Sequence, residues 1–290
     1  MNFPGATGGL SLSHVHRGGG AAERPDNTLE TFLWCWEHGA AVECDCRRTR
    51  DGVGIMLHDP TLRRTARGVS DALADADVSS ELDWADIRDI DVGSYLSPDF
   101  AHHRIPTIDA VFAAMEGHPE RLCFVDEKGF GPRAIADKAR EHGVLDQIYY
   151  TGMWYDKTLE WTRIVSGGKT MFWIGTFPGP SHDATGAAAF EAYDDGEMDK
   201  LRAGDFRGVS LVSLHVWCDW EAPVPLVPRP ECLGRYITEL HACGIPVAAM
   251  PFEGGARDET YLRLRDLGFD AFSTDHPSVL FRVLRRLKGA

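Results

Sequence analysis

Ser13-His14-Val15-His16-Arg17-Gly18, Val42-Glu43-Cys44-Asp45-Cys46 and Leu57-His58-Asp59 span residues 13–59, and their reading decides the fold. Each is a short run of apolar residues alternating with polar ones, and each ends in charge. That is the pattern of strands that deliver their chemistry at the C-terminal end. Successive side chains of a strand point to opposite faces, so Glu43 and Asp45 project from the same face. Two like charges held side by side repel. A hard divalent cation with oxygen ligands is the natural group to sit between them. His16 and His58 would then flank the ion as acid and base near neutral pH.

Working outward, Leu10 to His16 reads as a first strand, followed by the glycine turn Gly18-Gly19-Gly20. Phe32, Leu33 and Trp36 recur at helical spacing and predict a helix over Leu29 to His38, with Gly39 at its C-terminal cap. The Glu43/Asp45 strand comes next. Arg50-Asp51-Gly52 reads as a tight turn into Val53 to Leu57. Residues 60–104 lose the rhythm, and a stretch of that length within a domain is expected to be a functional insertion capping one face.

After Pro106-Thr107 strands and helices alternate again. Helices are predicted over 108–115, 132–142, 155–166, 231–243, 258–267 and 277–288. Strands are predicted over 122–128, 147–151, 170–175, 208–214, 246–250 and 271–275. The segment Phe177 to Ala203 is longer, rich in Gly and Pro at its start, and includes a helix. Such alternation makes parallel βαβ units. About eight units without a dinucleotide glycine fingerprint predict a TIM (β/α)8 barrel, read as a single domain over 1–290 with an insertion at about 60–104.

A chain of 290 residues with 43% apolar content can bury a large core. It has no run near the roughly eighteen apolar residues of a membrane span. Met1 to Gly5 lacks the basic and apolar regions of a secretory signal. Seven cysteines without a CxxC are expected to be reduced thiols in the cytoplasm. The net charge of −14 argues against nucleic acid as partner. A small phosphodiester is compatible with it, because a bound cation together with Arg17 and Lys128 would make the pocket locally positive.

The motifs His16-Arg17-Gly18, Pro25-Asp26-Asn27-Thr28, Glu43-Cys44-Asp45 and His58-Asp59, in this order, resemble those of the glycerophosphodiester phosphodiesterase family. The likeness continues through Asp91-Val92-Gly93-Ser94, Arg104-Ile105-Pro106-Thr107 and Phe124-Val125-Asp126-Glu127-Lys128 to Ser273-Thr274-Asp275-His276-Pro277. The resemblance implies a PLC-like phosphodiesterase barrel that holds one divalent cation, Mg2+ or Ca2+. Glu43, Asp45 and Asp126 would be its ligands, Asp126 replacing a frequent Glu of the family. Arg17 and Lys128 would bind the substrate phosphate, and His16 and His58 would be catalytic. The expected substrate is a glycerophosphodiester-like small molecule or lipid head group, cleaved to an alcohol and a phosphomonoester.

Each residue also has a plainer role. Arg17 could cap a helix or pair with Asp26, Lys128 could pair with Glu127, and Asp45 with Arg47 or Arg48. Asp59 is expected to anchor its loop and Asp275 the backbone at the barrel rim. Trp154, Trp173 and Trp217 are core by default, or line the leaving-group pocket if they lie near strand ends. Beyond residue 130 the likeness thins: Ala248-Ala249-Met250-Pro251-Phe252 departs from the family, so an unusual alcohol is expected. Two competing readings remain. One is transfer to an internal hydroxyl with release of a cyclic phosphate, as in the sphingomyelinase D-like barrels. The other is a barrel that keeps the site only to bind a metal or ligand. The oligomeric state is left open.

Overall fold

The computed structural model describes residues 9–20, 23–175 and 179–289. The readings at Met1 to Gly5, Phe177 and Pro178 lie outside the described residues. β1 (His14–Val15) leads to α1 (Leu29–Glu37), β2 (Ala41–Arg48) and β3 (Gly54–Met56). The short helices α2 (Asp71–Asp75) and α3 (Trp84–Ile87) precede α4 (Ile108–Met115). The chain then alternates: β4 (Cys123–Glu127), α5 (Pro132–Glu141), β5 (Ile148–Gly152), α6 (Tyr155–Ile164), β6 (Lys169–Ile174) and α7 (Ala184–Ala203). It ends with β7 (Leu211–Cys218), β8 (Leu226–Val227), α8 (Pro230–Ala242), β9 (Val247–Phe252), α9 (Asp258–Asp266), β10 (Ala271–Thr274) and α10 (Pro277–Lys288).

The parallel pairings run β1–β2–β4–β5–β6–β7–β9–β10 and return to β1, which closes an eight-stranded barrel. The antiparallel arms β3 and β8 extend it at β2 and β7. The barrel strands are buried on both faces because helices cover the outside. α10 shows how: proline opens it, Val279, Leu280, Val283 and Leu284 face the barrel, and Arg282, Arg285 and Arg286 face solvent.

Inside, one layer fills the barrel floor. Ala41, Phe124, Tyr149, Met171, Leu211, Ala248 and Ala271 come from β2, β4, β5, β6, β7, β9 and β10 in turn. His14 of β1 completes the ring and stacks on Phe124 with centroids 4.2 Å apart. Large rings on one side match alanines on the other, as a packed barrel interior requires.

The segment between β3 and α4 has an apolar cluster of its own, with Leu62, Val78, Leu82, Ile87 and Val92 packed against Ile55 and Ile105. Its helices are capped locally: Ser70 accepts from Leu73 N–H, and Asp83 and Asp86 form a capping box. The element at the start differs from expectation. Leu10 to Leu12 lie in a 3-10 turn, Gly9–Leu12, and only His14 and Val15 form strand. The Ser13 hydroxyl oxygen accepts from Phe272 N–H, which ties the turn to β10 instead of extending the ladder. β7 runs four residues beyond the expected Leu214, because β8 pairs with its end.

Candidate active site

The C-terminal ends of the barrel strands open into a cavity of about 410 Å³. His16, Arg17, Glu43, Asp45, His58, Asp126 and Lys128 all line it. These charged residues occupy one half, on β1, β2, β4 and the turn after β3. The opposite half is built from Trp173 of β6, Ser213 and His215 of β7, and Met250 and Phe252 of β9.

Register explains the acidic half. Asp45 is the direct partner of Asp126 across the β2–β4 pairing, and Glu43 lies two residues back on the same face. One oxygen from each of the three carboxylates lies within 4.8 Å of the others. All are buried, Glu43 and Asp45 at 2% exposure and Asp126 at 8%. Burial, reinforced by the Asp45 charge, raises the pKa of Glu43 above the carboxylate range. Burial likewise pushes Asp126 up to about 6. Glu43 Oε2 accepts from Arg17 N–H at 2.7 Å, whereas Oε1 is buried without a hydrogen-bond donor. Asp45 is bracketed by Asn27, whose Nδ2 donates to Oδ2 at 2.8 Å and whose Oδ1 accepts from Asp45 N–H at 2.9 Å.

The cationic residues face this group. Lys128 Nζ lies 2.5 Å from Asp126 Oδ2 and 3.6 Å from Asp45 Oδ1. Arg17 Nε lies 3.6 Å from Asp45 Oδ2, and its Nη1 lies 3.6 Å from Asp26 Oδ2, the plainer pairing also expected for it. Two other plainer pairings are corrected. Glu127 accepts from the Gly129 and Gly131 amides instead of Lys128, and Arg47 reaches the His58 carbonyl instead of Asp45. A buried, all-oxygen donor set with one oxygen short of a donor fits a hard divalent cation better than a soft one.

The two imidazoles have matching supports. His16 Nδ1 lies 2.7 Å from Asp275 Oδ1, and His58 Nδ1 lies 2.7 Å from Asp59 Oδ1. An ionised carboxylate only accepts, so each Nδ1 carries the proton and Nε2 is left for the cavity. The rings are 30% and 32% exposed, enough for a ligand to reach them. Burial disfavours charge on His16, but the Asp275 hydrogen bond and the Glu43 charge outweigh it and raise its pKa above 6.5. Asp275 therefore orients a ring and does not hold the rim backbone as expected. Asp59 holds His58 as well as its loop.

His14 and His215 differ from these two. Burial lowers each to a pKa of about 4, so both are neutral parts of the cavity wall. Phe252 stacks on Trp217 with centroids 4.6 Å apart and meets His215 edge-on at 5.2 Å. Trp154, expected in the core, is 65% exposed. Sequence reasoning missed His215, although Ser213, His215 and Trp217 alternate along β7 on one face.

The model of the glycerophosphoryl diester phosphodiesterase family matches residues 16–166, just over half of the chain. The probable glycerophosphodiester phosphodiesterase 1 of Mycobacterium tuberculosis is 34% identical over 121 residues, covering 39% of this chain and 41% of that protein. The glycerophosphodiester phosphodiesterase 1 of Bos taurus is 32% identical over 141 residues, covering 48% and 40%. The chain thus spans about two fifths of the length of the curated relatives it matches. Among solved structures, an Oleispira antarctica phosphodiesterase in complex with the product sn-glycerol-3-phosphate superposes with a TM-score of 0.70 at 17% identity, over 98% of this chain and 99% of that one. The glycerophosphodiester phosphodiesterase of Agrobacterium tumefaciens gives 0.67 at 19% identity, over 95% and 99%. Those two likenesses show the same barrel, and with the family match over residues 16–166 the chain belongs to the glycerophosphoryl diester phosphodiesterase family.

Proposed function

We propose that this single barrel domain is a phosphoric diester hydrolase that cleaves a glycerophosphodiester-like substrate to an alcohol and a phosphomonoester with the help of one divalent cation. The observation that carries this reading is the convergence of three buried carboxylates, two carboxylate-supported histidines and two cationic side chains on one cavity wall. Glu43, Asp45 and Asp126 would hold Mg2+ or Ca2+, which when bound neutralises charge developing on the phosphoryl oxygens. Arg17 presents a guanidinium fork and Lys128 a point charge to the remaining oxygens. One of His16 and His58 takes the proton of the nucleophile, water or a hydroxyl of the substrate, and the other returns a proton to the leaving alkoxide. The alcohol rests against Trp173, Met250 and Phe252, a wall suited to a less polar body than glycerol alone. Among the described residues no helix is long and apolar enough to cross a membrane. All seven cysteines are free thiols, in keeping with a reducing cytoplasm as the site of action.

Phosphorus NMR of glycerophosphoethanolamine incubated with the protein and Mg2+ or Ca2+ tests the reading. A phosphomonoester that accumulates with wild type, and about 10²–10⁴-fold more slowly with His16→Ala or His58→Ala, is expected. A cyclic phosphate that persists, or a rate unaffected by both substitutions, contradicts it.

A further inference from the structure

We propose that Arg64, a residue of the segment between β3 and α4, is a positioning residue that holds His58 through Asp59. The inference rests on the reading of His58 as acid or base. Asp59 spends both oxygens: Oδ1 accepts from His58 Nδ1 at 2.7 Å and Oδ2 from Arg64 Nε at 2.5 Å. The far edge of the same guanidinium meets Asp26, with Nη2 2.8 Å from Oδ2 and Nη1 3.3 Å from Oδ1. Asp26 is fixed in turn, since Tyr95 hydroxyl donates to its Oδ1 at 2.6 Å and its own N–H donates back to the Tyr95 oxygen at 3.2 Å. Arg17 closes the chain at 3.6 Å from Asp26.

Solvent exposure decides why the chain matters. The His58–Asp59 pair is partly exposed, and water weakens such a pair too much for it to hold a ring in one orientation by itself. Asp26 is in a different position. Its side chain is 4% exposed, and a buried carboxylate stripped of its partner is strongly destabilising. Arg64 is therefore held at Asp26, and the rigid fork of its guanidinium carries that constraint to Asp59 and on to His58. Leu62, two residues earlier, is buried in the apolar cluster of the segment, which fixes the backbone of Arg64 as well.

The test is a double-mutant cycle with glycerophosphoethanolamine turnover. Arg64→Ala is expected to lower kcat about 10–100-fold, the usual effect of losing a supporting partner, while KM stays within about threefold. In the His58→Ala protein the same substitution is expected to lower the residual rate by less than about threefold, because the ring it orients is gone. Equal losses in both backgrounds, or an effect confined to KM, would overturn the proposal. Should Arg64→Ala unfold the protein, Arg64→Lys keeps a cation beside Asp26 but cannot span both carboxylates, and it is expected to reproduce the kcat loss. A spectroscopic reading is independent of turnover. Wild type is expected to show a downfield His58 Nδ1 proton that broadens or vanishes in Arg64→Lys, and a signal that persists unchanged in that variant would overturn the proposal. Lack of turnover by wild type would sink the functional reading alone, since the Nδ1 signal still decides the role of Arg64.

Discussion

Glu43 illustrates what single residues do here. It lies two residues before Asp45 on one strand face, its Oε1 lacks a donor, and its neighbours are acidic. A divalent cation bound there would supply what the carboxylate lacks. Millimolar Mg2+ or Ca2+ is therefore expected to raise the Tm of wild type, and Glu43→Gln or Asp45→Asn should abolish that rise and lower turnover in the same protein. A shift of Tm that survives both substitutions would place the ion elsewhere. The strand period made Glu43, Asp45, Asp126 and Lys128 legible in the sequence, because side chains at i and i+2 share a face whatever the rest of the chain does. The partners of the two histidines were less legible. His16 and Asp275 are 259 residues apart and meet only because β1 pairs with β10, and nothing local to either residue signals that contact.

At the scale of elements, the turns that follow the strands are as constrained as the strands. The glycine triplet after β1 reads as a flexible turn, yet Gly20 has φ +63° and a Cβ there would lie 2.3 Å from the Asp275 carbonyl oxygen. Gly20 N–H also donates to the His16 carbonyl at 2.9 Å. Gly20→Ala should thus destabilise the fold by about 1–3 kcal/mol through backbone strain and crowding, measured by urea denaturation. A loss under about 0.5 kcal/mol would show that the β10–α10 turn can retreat. Alternation made the longer helices and strands legible to within a few residues. Leu10 to Leu12 misled because an apolar run of that length fits a strand as well as a turn, and β8 is too short at two residues to leave a periodic trace.

Across the whole molecule, barrel closure buries His14 in the floor ring and keeps it neutral. In the native protein its pKa is about 4 because of burial, against 6.5 when exposed. Between those values the unfolded chain binds a proton that the native protein does not. Stability from this residue is present above pH 6.5 and is lost as pH falls toward 4, by about 3 kcal/mol in all. His14→Asn retains a side-chain N–H for the Leu12 carbonyl, which His14 Nδ1 meets at 3.0 Å, but cannot titrate. The slope of unfolding free energy against pH should then flatten by about one proton between pH 6.5 and 4, and an unchanged slope would refute the assignment.

The closed barrel also brings the charged and aromatic halves of the cavity face to face, and the proposed activity depends on a cation that the charged half would hold. The most direct measurement is turnover of glycerophosphoethanolamine by the chelator-treated protein before and after Mg2+ or Ca2+ is restored. Activity that disappears with the chelator and returns with the ion is the expected result. Full activity maintained in excess chelator would contradict it.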